Sequence, residues 1–215
     1  MSFKKNKYIV IKQAISKELA SFICNYFTLK RDVMDIMYGR NLVNPTEFLG
    51  TRDDPQVPGV YSHYADIAME TLLTTVLPIM EKKIKLKLIP TYSYARIYEK
   101  GADLLRHKDR NSCEISTTLN LGGDPWPIYI DPTGENNVID EYKSIVKPGA
   151  HIGVEVNLKP GDMLIYSGCE LEHWRKPFEG NLCGQVFLHY NHANGRFAKT
   201  NLYDKRPLLG IPKTS

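Results

Sequence analysis

Residues 7–12 set Tyr8, Ile9, Val10 and Ile11 between two lysines, a β-branched run that predicts a short strand. Ser16 follows as a candidate N-cap, with Glu18 and Leu19 in the first turn, so a helix starts there. Leu19, Phe22, Ile23, Tyr26 and Phe27 recur at helical spacing and read as one apolar face packed on a sheet. Residues 41–59 carry Pro45, Pro55, Pro58 and two glycines, which predicts an irregular connection and a candidate lid. Residues 64–84 return to a helical pattern through Ile67, Leu72, Val76, Ile79 and Met80, with Pro78 expected to kink or divide it. Beyond residue 86 the period changes to short β-rich runs at 91–98, 113–121, 127–130, 153–158, 162–166 and 183–190. Such runs after a helical first part predict an α+β architecture, a sandwich or barrel with helices packed on one face.

Length and composition alter this picture little. A chain of 215 residues that is 42% hydrophobic and 24% charged fits one globular domain, residues 1–85 mainly helical support and 86–192 the β core. The net charge of +4, from 28 basic and 24 acidic residues, permits anionic partners without demanding them, so nucleic acid is not excluded. Cys24, Cys113, Cys169 and Cys183 form no Cys-x-x-Cys pair and read as free thiols. With no apolar segment of signal-peptide or membrane-spanning length, a cytoplasmic location and no membrane partner are expected. Oligomeric state is not readable from these features.

Candidate chemistry concentrates in Leu105, Arg106, His107, Lys108 and Asp109, which follow the aromatic-rich run 92–98 and a turn at Gly101. In an extended segment residues two apart share a face, so the His107 imidazole and the Asp109 carboxylate converge on one metal ion. A third ligand must come from elsewhere. Further on, Lys159, Pro160, Gly161 and Asp162 give a turn, residues 163–166 an apolar strand, and His173 sits where a neighbouring antiparallel strand brings it alongside. Two imidazoles and one carboxylate make a facial triad that leaves three adjacent positions open on a six-coordinate ferrous ion.

This ordered set resembles the iron(II)/2-oxoglutarate dioxygenases, and within them the prolyl 4-hydroxylase-like group. The resemblance covers residues 92–190 and rests on the aromatic strand, Gly101, the His107/Asp109 pair, the Thr/Leu-rich strand at 116–121, the Lys-Pro-Gly-Asp turn and His173. It implies a double-stranded β-helix, or jelly roll, with the N-terminal helices packed on one sheet. It also implies Fe(II), 2-oxoglutarate and O2 as cofactor and co-substrates, with His107, Asp109 and His173 as catalytic metal ligands and ascorbate compatible as a reductant. The reaction implied is hydroxylation of a substrate carbon as 2-oxoglutarate is decarboxylated to succinate. A peptidyl or free amino-acid side chain is the favoured substrate.

One element of the family pattern is absent. Relatives anchor the far carboxylate of 2-oxoglutarate with an Arg or Lys nine to eleven residues after the distal histidine, where this chain has Leu182, Cys183 and Gly184. A guanidinium is the natural substitute. Arg175, two residues beyond His173 on an extended strand, is the first candidate; Arg96, which shares parity with Tyr94 and Tyr98, is the second. Tyr94, Thr118 and Gln185 are candidate neutral partners. Trp126, Tyr129 and Trp174 are candidates for a substrate entrance or for plain core, and residues 134–151 for a flap or an exposed hairpin. His189 and His192 read as polar residues at a strand end. The missing cation leaves a second reading open, a jelly-roll or cupin-like module that binds a metal or ligand without catalysis.

Overall fold

The computed structural model describes residues 2–134 and 150–213. A single turn, α1 (Phe3–Asn6), and strand β1 (Tyr8–Ile11) precede the long helix α2 (Lys17–Gly39). Ser16 caps α2 as its position predicts, its hydroxyl accepting from the Leu19 N–H at 3.2 Å. Strand β2 (Tyr61–Tyr64) leads into α3 (Ile67–Ile84), capped by Asp66, whose carboxylate accepts from the N–H groups of Ala68 at 2.9 Å and Met69 at 3.2 Å. Pro78 does not divide α3; Val76 and Met80 on either side of it are both buried, so packing holds the two halves in one helix.

The apolar face assigned to α2 is corrected. Ile23 and Phe27 enter the core with Ala20, Cys24 and Met34, whereas Leu19 is 39% and Phe22 70% exposed. Leu29, Val33 and Ile36 continue this outward stripe. Helical spacing placed the first-turn residues together, but α2 is apolar on two faces, and spacing alone cannot say which one the sheet covers.

Eight further strands follow: β3 (Leu88–Glu99), β4 (Leu104–His107), β5 (Ile115–Gly123), β6 (Ile128–Ile130), β7 (Val154–Val156), β8 (Met163–Tyr166), β9 (His173–Arg175) and β10 (Leu182–His192). They form two antiparallel sheets of a jelly roll, one in the order β1-β8-β5-β10-β3-β2 and the other β4-β9-β6-β7. The larger sheet buries Ala95, Ile97, Leu119, Leu121, Val186 and Leu188 against α2 and α3. Because side chains alternate, Tyr94, Arg96 and Tyr98 of β3 face the other way, toward the smaller sheet, as do Gln185, Phe187 and His189 of β10, which stand opposite or near them in register. Chemistry therefore accumulates between the sheets. No helix among the described residues is long and apolar enough to cross a membrane, and all four cysteines are free.

The Lys-Pro-Gly-Asp turn fastens β8 to the chain before α2. Asp162 accepts from the Lys159 and Gln13 N–H groups, both at 3.0 Å, and from Lys12 Nζ at 2.8 Å. Gly161 has φ +88°, and a Cβ there would lie 2.5 Å from the Ile15 carbonyl oxygen. Gly161→Ala is therefore expected to destabilise the fold by about 1–3 kcal/mol, read as a lower urea midpoint; an unchanged midpoint would show that the turn bears no strain.

Candidate metal centre and its cavity

Strand β4 ends at His107 and pairs antiparallel with β9, so that His107 stands opposite His173 and Leu104 opposite Arg175. The extended pairing expected for His107 and Asp109 stops at His107. Asp109 lies beyond the strand end, where its N–H donates to the Gly168 carbonyl at 2.8 Å. A Cβ at Gly168 would stand 2.4 Å from Asp109 Oδ2, so glycine lets this loop close over the carboxylate. The result brings Asp109 Oδ1 to 3.4 Å from His173 Nε2 and 3.7 Å from His107 Nε2.

Backbone bonds fix which nitrogen each imidazole presents. His107 Nδ1 lies 2.7 Å from the Leu105 carbonyl and His173 Nδ1 3.1 Å from the Leu171 carbonyl. A carbonyl only accepts, so both Nδ1 atoms carry a proton, and each ring turns its Nε2, the nitrogen left to bind a metal, toward Asp109. Asp109 is held in turn by its other oxygen, Oδ2, which accepts from the Ser116 hydroxyl at 2.6 Å. Burial, reinforced by the neighbouring His173 ring, pushes the His107 imidazole down to about 3. Burial alone would raise the Asp109 carboxyl, but the surrounding imidazoles outweigh it and hold it below the usual carboxylate range. An ionised carboxylate beside a His107 ring held neutral is the arrangement a divalent ion requires. The three donor atoms lie within 4.8 Å of one another, close enough for one ion to bridge, so the residues fit a ferrous centre.

The triad opens onto a cavity of about 410 Å³ between the sheets. The 41–59 connection reaches it through Asp54, Pro55 and Gln56, β3 through Tyr92, Tyr94 and Arg96, and β10 through Phe187 and His189. Arg96 already has an anion: its Nε donates to Asp54 Oδ2 at 2.8 Å and its Nη2 to Gln56 Oε1 at 2.7 Å. Tyr94 donates to the same Asp54 oxygen at 2.9 Å.

Arg175, Thr118 and Gln185 form a separate buried chain outside the cavity lining. Arg175 Nη2 donates to Thr118 Oγ1 at 3.3 Å, and Thr118 donates to Gln185 Oε1 at 3.0 Å. Arg175 also donates to the Trp126 carbonyl and lies over the Trp126 ring. It is 3% exposed, its Nε has no partner, and among the described residues it makes no ion pair. Burial pushes its guanidinium down, while the neighbouring Cys183 thiol and the Tyr98 hydroxyl work the other way. Arg175 of β9 and Cys183 of β10 are neighbours across the two sheets, so Arg175 brings positive charge beside that part of β10.

Several readings need correction. Trp126 is buried between Tyr98 and Phe178, and Tyr129 stacks on Trp174 at 5.8 Å; none of Trp126, Tyr129 and Trp174 lines the cavity. His189 is not a spare strand-end residue but part of the cavity wall, its ring tilted against Tyr92 with centroids 4.6 Å apart, and its Nδ1 3.0 Å from Ser116 Oγ. Because Ser116 gives its single proton to Asp109, His189 Nδ1–H donates to Ser116. The available signal was parity: His189 lies an even number of residues from Gln185 on one strand. His192 stays outside the cavity lining, and the proposed flap falls largely on residues 135–149, outside those described.

Burial pushes His189 from 6.5 down to about 4. The unfolded chain then binds a proton in this window that the fold does not, so stability falls as pH drops from 6.5 toward 4. His189→Phe is expected to flatten that slope for the metal-free protein in urea titrations at several pH values; an unaltered slope would contradict it.

No protein-family model and no curated protein matches the sequence. Solved structures share the fold. A Pseudomonas putida prolyl-4-hydroxylase superposes with TM-score 0.54 at 14% identity, over 88% of this chain and 95% of its own. HygX from Streptomyces hygroscopicus, solved with nickel and 2-oxoglutarate bound, gives 0.55 at 13%, over 89% and 85%. EctD from S. alaskensis with bound Fe gives 0.58 at 14%, over 91% and 76%.

Proposed function

We propose that this chain is an Fe(II)- and 2-oxoglutarate-dependent dioxygenase that hydroxylates a substrate carbon, with a peptidyl or free amino-acid side chain as the favoured class. The observation that carries this reading is the convergence of two imidazole Nε2 atoms and one carboxylate on an open cavity. His107, Asp109 and His173 hold the ferrous ion. When bound, iron and keto acid together supply the oxidising chemistry, with O2 as oxidant and succinate as co-product.

The protein's own part is orientation. The Leu105 and Leu171 carbonyls fix the two imidazoles, and Ser116 fixes Asp109. Arg175, a buried cation without a carboxylate of its own, takes the far carboxylate of 2-oxoglutarate, flanked by Thr118 and Gln185. Arg96 is less suited to that task because Asp54 already neutralises it; with Tyr94 it shapes the substrate side of the cavity.

Succinate formation from 2-oxoglutarate in the presence of Fe(II) and O2 tests the reading. His107→Ala and His173→Ala are expected to abolish it. Arg175→Gln is expected to raise the KM for 2-oxoglutarate by about tenfold or more without weakening Fe(II) binding. If Arg175→Gln leaves KM unchanged and Arg96→Gln raises it, the anchor is Arg96. If iron binds and no succinate forms at all, the chain is a binding module.

A further inference from the structure

After β10 the chain passes through the short helix α4 (Ala198–Asn201) into a turn where three consecutive residues are left-handed: Tyr203 (φ 50°), Asp204 (φ 54°) and Lys205 (φ 66°). L-residues visit this region singly, so a run of three persists only where surrounding bonds over-determine it. Those bonds converge on Asp204. Its carboxylate accepts from the Tyr64 and Ser112 hydroxyls, both at 2.8 Å, and from Arg110 Nη1 at 2.8 Å and Nη2 at 2.6 Å, with Lys213 Nζ at 2.9 Å. Just beyond, Arg206 fastens the segment to α3 through a buried pair with Glu70 at 2.7 Å.

Between this turn and the loop that follows Asp109 lies a pocket of about 270 Å³, walled by Arg110, Lys205, Lys213, Asn111 and Asn201 around Asp204. Three cations share one carboxylate, Arg110 and Lys213 bonded to it and Lys205 beside it, so positive charge is in excess, and the amide side chains add neutral hydrogen-bonding groups. Both lysines are exposed, Lys213 reaching Asp204 from the solvent side and Lys205 making no ion pair among the described residues. Arg110 belongs to this pocket and to the cavity of the triad, and its guanidinium lies over the Tyr92 ring at 4.5 Å. The residue next to Asp109 thus stands on the wall that the two spaces share.

Taking the oxygenase reading for the ligand's fate, we propose that this pocket is an anion subsite that holds a carboxylate or phosphate group of the substrate. The substrate is then an acid-bearing molecule, its anionic end among Arg110, Lys205 and Lys213 and its reacting carbon on the triad side of Arg110. The strained turn is what sets Asp204 and Lys205 at the pocket wall, and Asp204 holds Arg110 in place between the two spaces.

Calorimetric titration of the metal-free, full-length protein with inorganic phosphate and, separately, with acetate tests this. At least one anion is expected to saturate a single site, acetate pointing to a carboxylate and phosphate to a phosphate group. Lys205→Gln and Lys213→Gln are each expected to weaken it, and the pair by about tenfold, with Lys17→Gln, exposed at the start of α2, without effect. The lysines are exposed, so these variants are expected to melt at the wild-type temperature. No binding of either anion, equal binding by the double lysine variant, or an equal loss of binding in Lys17→Gln overturns the proposal. Iron and 2-oxoglutarate take no part in this titration, so the subsite can fail with succinate formation intact, and the oxygenase reading can fail with the subsite intact.

Discussion

The antiparallel pairing of two short strands, β4 and β9, is the constraint on which the candidate centre depends. It sets His107 opposite His173 and Leu104 opposite Arg175, in a pairing that itself carries a bulge. Since side chains alternate along a strand, a slip of one residue would turn His173 and Arg175 out of the space between the sheets together. β9 is flanked by β4 and β6, and β6 pairs on with β7, so its register is held from both sides. The larger sheet, backed by α2 and α3, supplies the opposite wall and with it Ser116, Arg96 and His189.

The arginines around the two sheets are mostly paired with buried carboxylates. Arg96 has Asp54, Arg110 has Asp204, Arg106 has Asp131 and Glu172, and each of these partners is itself nearly buried. A cation taken out of water without an anion is unfavourable, which is why such pairing is general. Arg175 departs from it among the described residues, having only a carbonyl, a hydroxyl and an aromatic face. An unmatched buried guanidinium beside a candidate metal-binding triad is suited to an anionic ligand, the place proposed above for the far carboxylate of 2-oxoglutarate.

Much of this was legible in the sequence because it is local. The β-rich runs at 91–98, 113–121 and 183–190 became β3, β5 and β10 with ends shifted by a few residues, since period-2 patterns and flanking glycines report directly on strands. The triad was legible because residue type, order and the Lys-Pro-Gly-Asp turn constrain one another. Less of the surroundings could be read. The outward position of Leu19 and Phe22 depends on which of two apolar faces of α2 meets the sheet, a tertiary choice. Parity with Gln185 could have placed His189 between the sheets, but Ser116 and Arg110 owe their places to cross-strand register and to a loop closing over Gly168, which leave no mark in spacing. Asp54, far from the triad in sequence, reaches the cavity only because the 41–59 connection folds over β3.

The most direct test of the account is an anaerobic titration of the protein with Fe(II), with and without 2-oxoglutarate, followed by visible absorption. A ferrous ion chelated by the keto acid in a facial triad gives a metal-to-ligand charge-transfer band. The account predicts that the band forms in the wild type, disappears in His173→Ala, and in Arg175→Gln needs a higher 2-oxoglutarate concentration. Iron binding with no band at any 2-oxoglutarate concentration would contradict it.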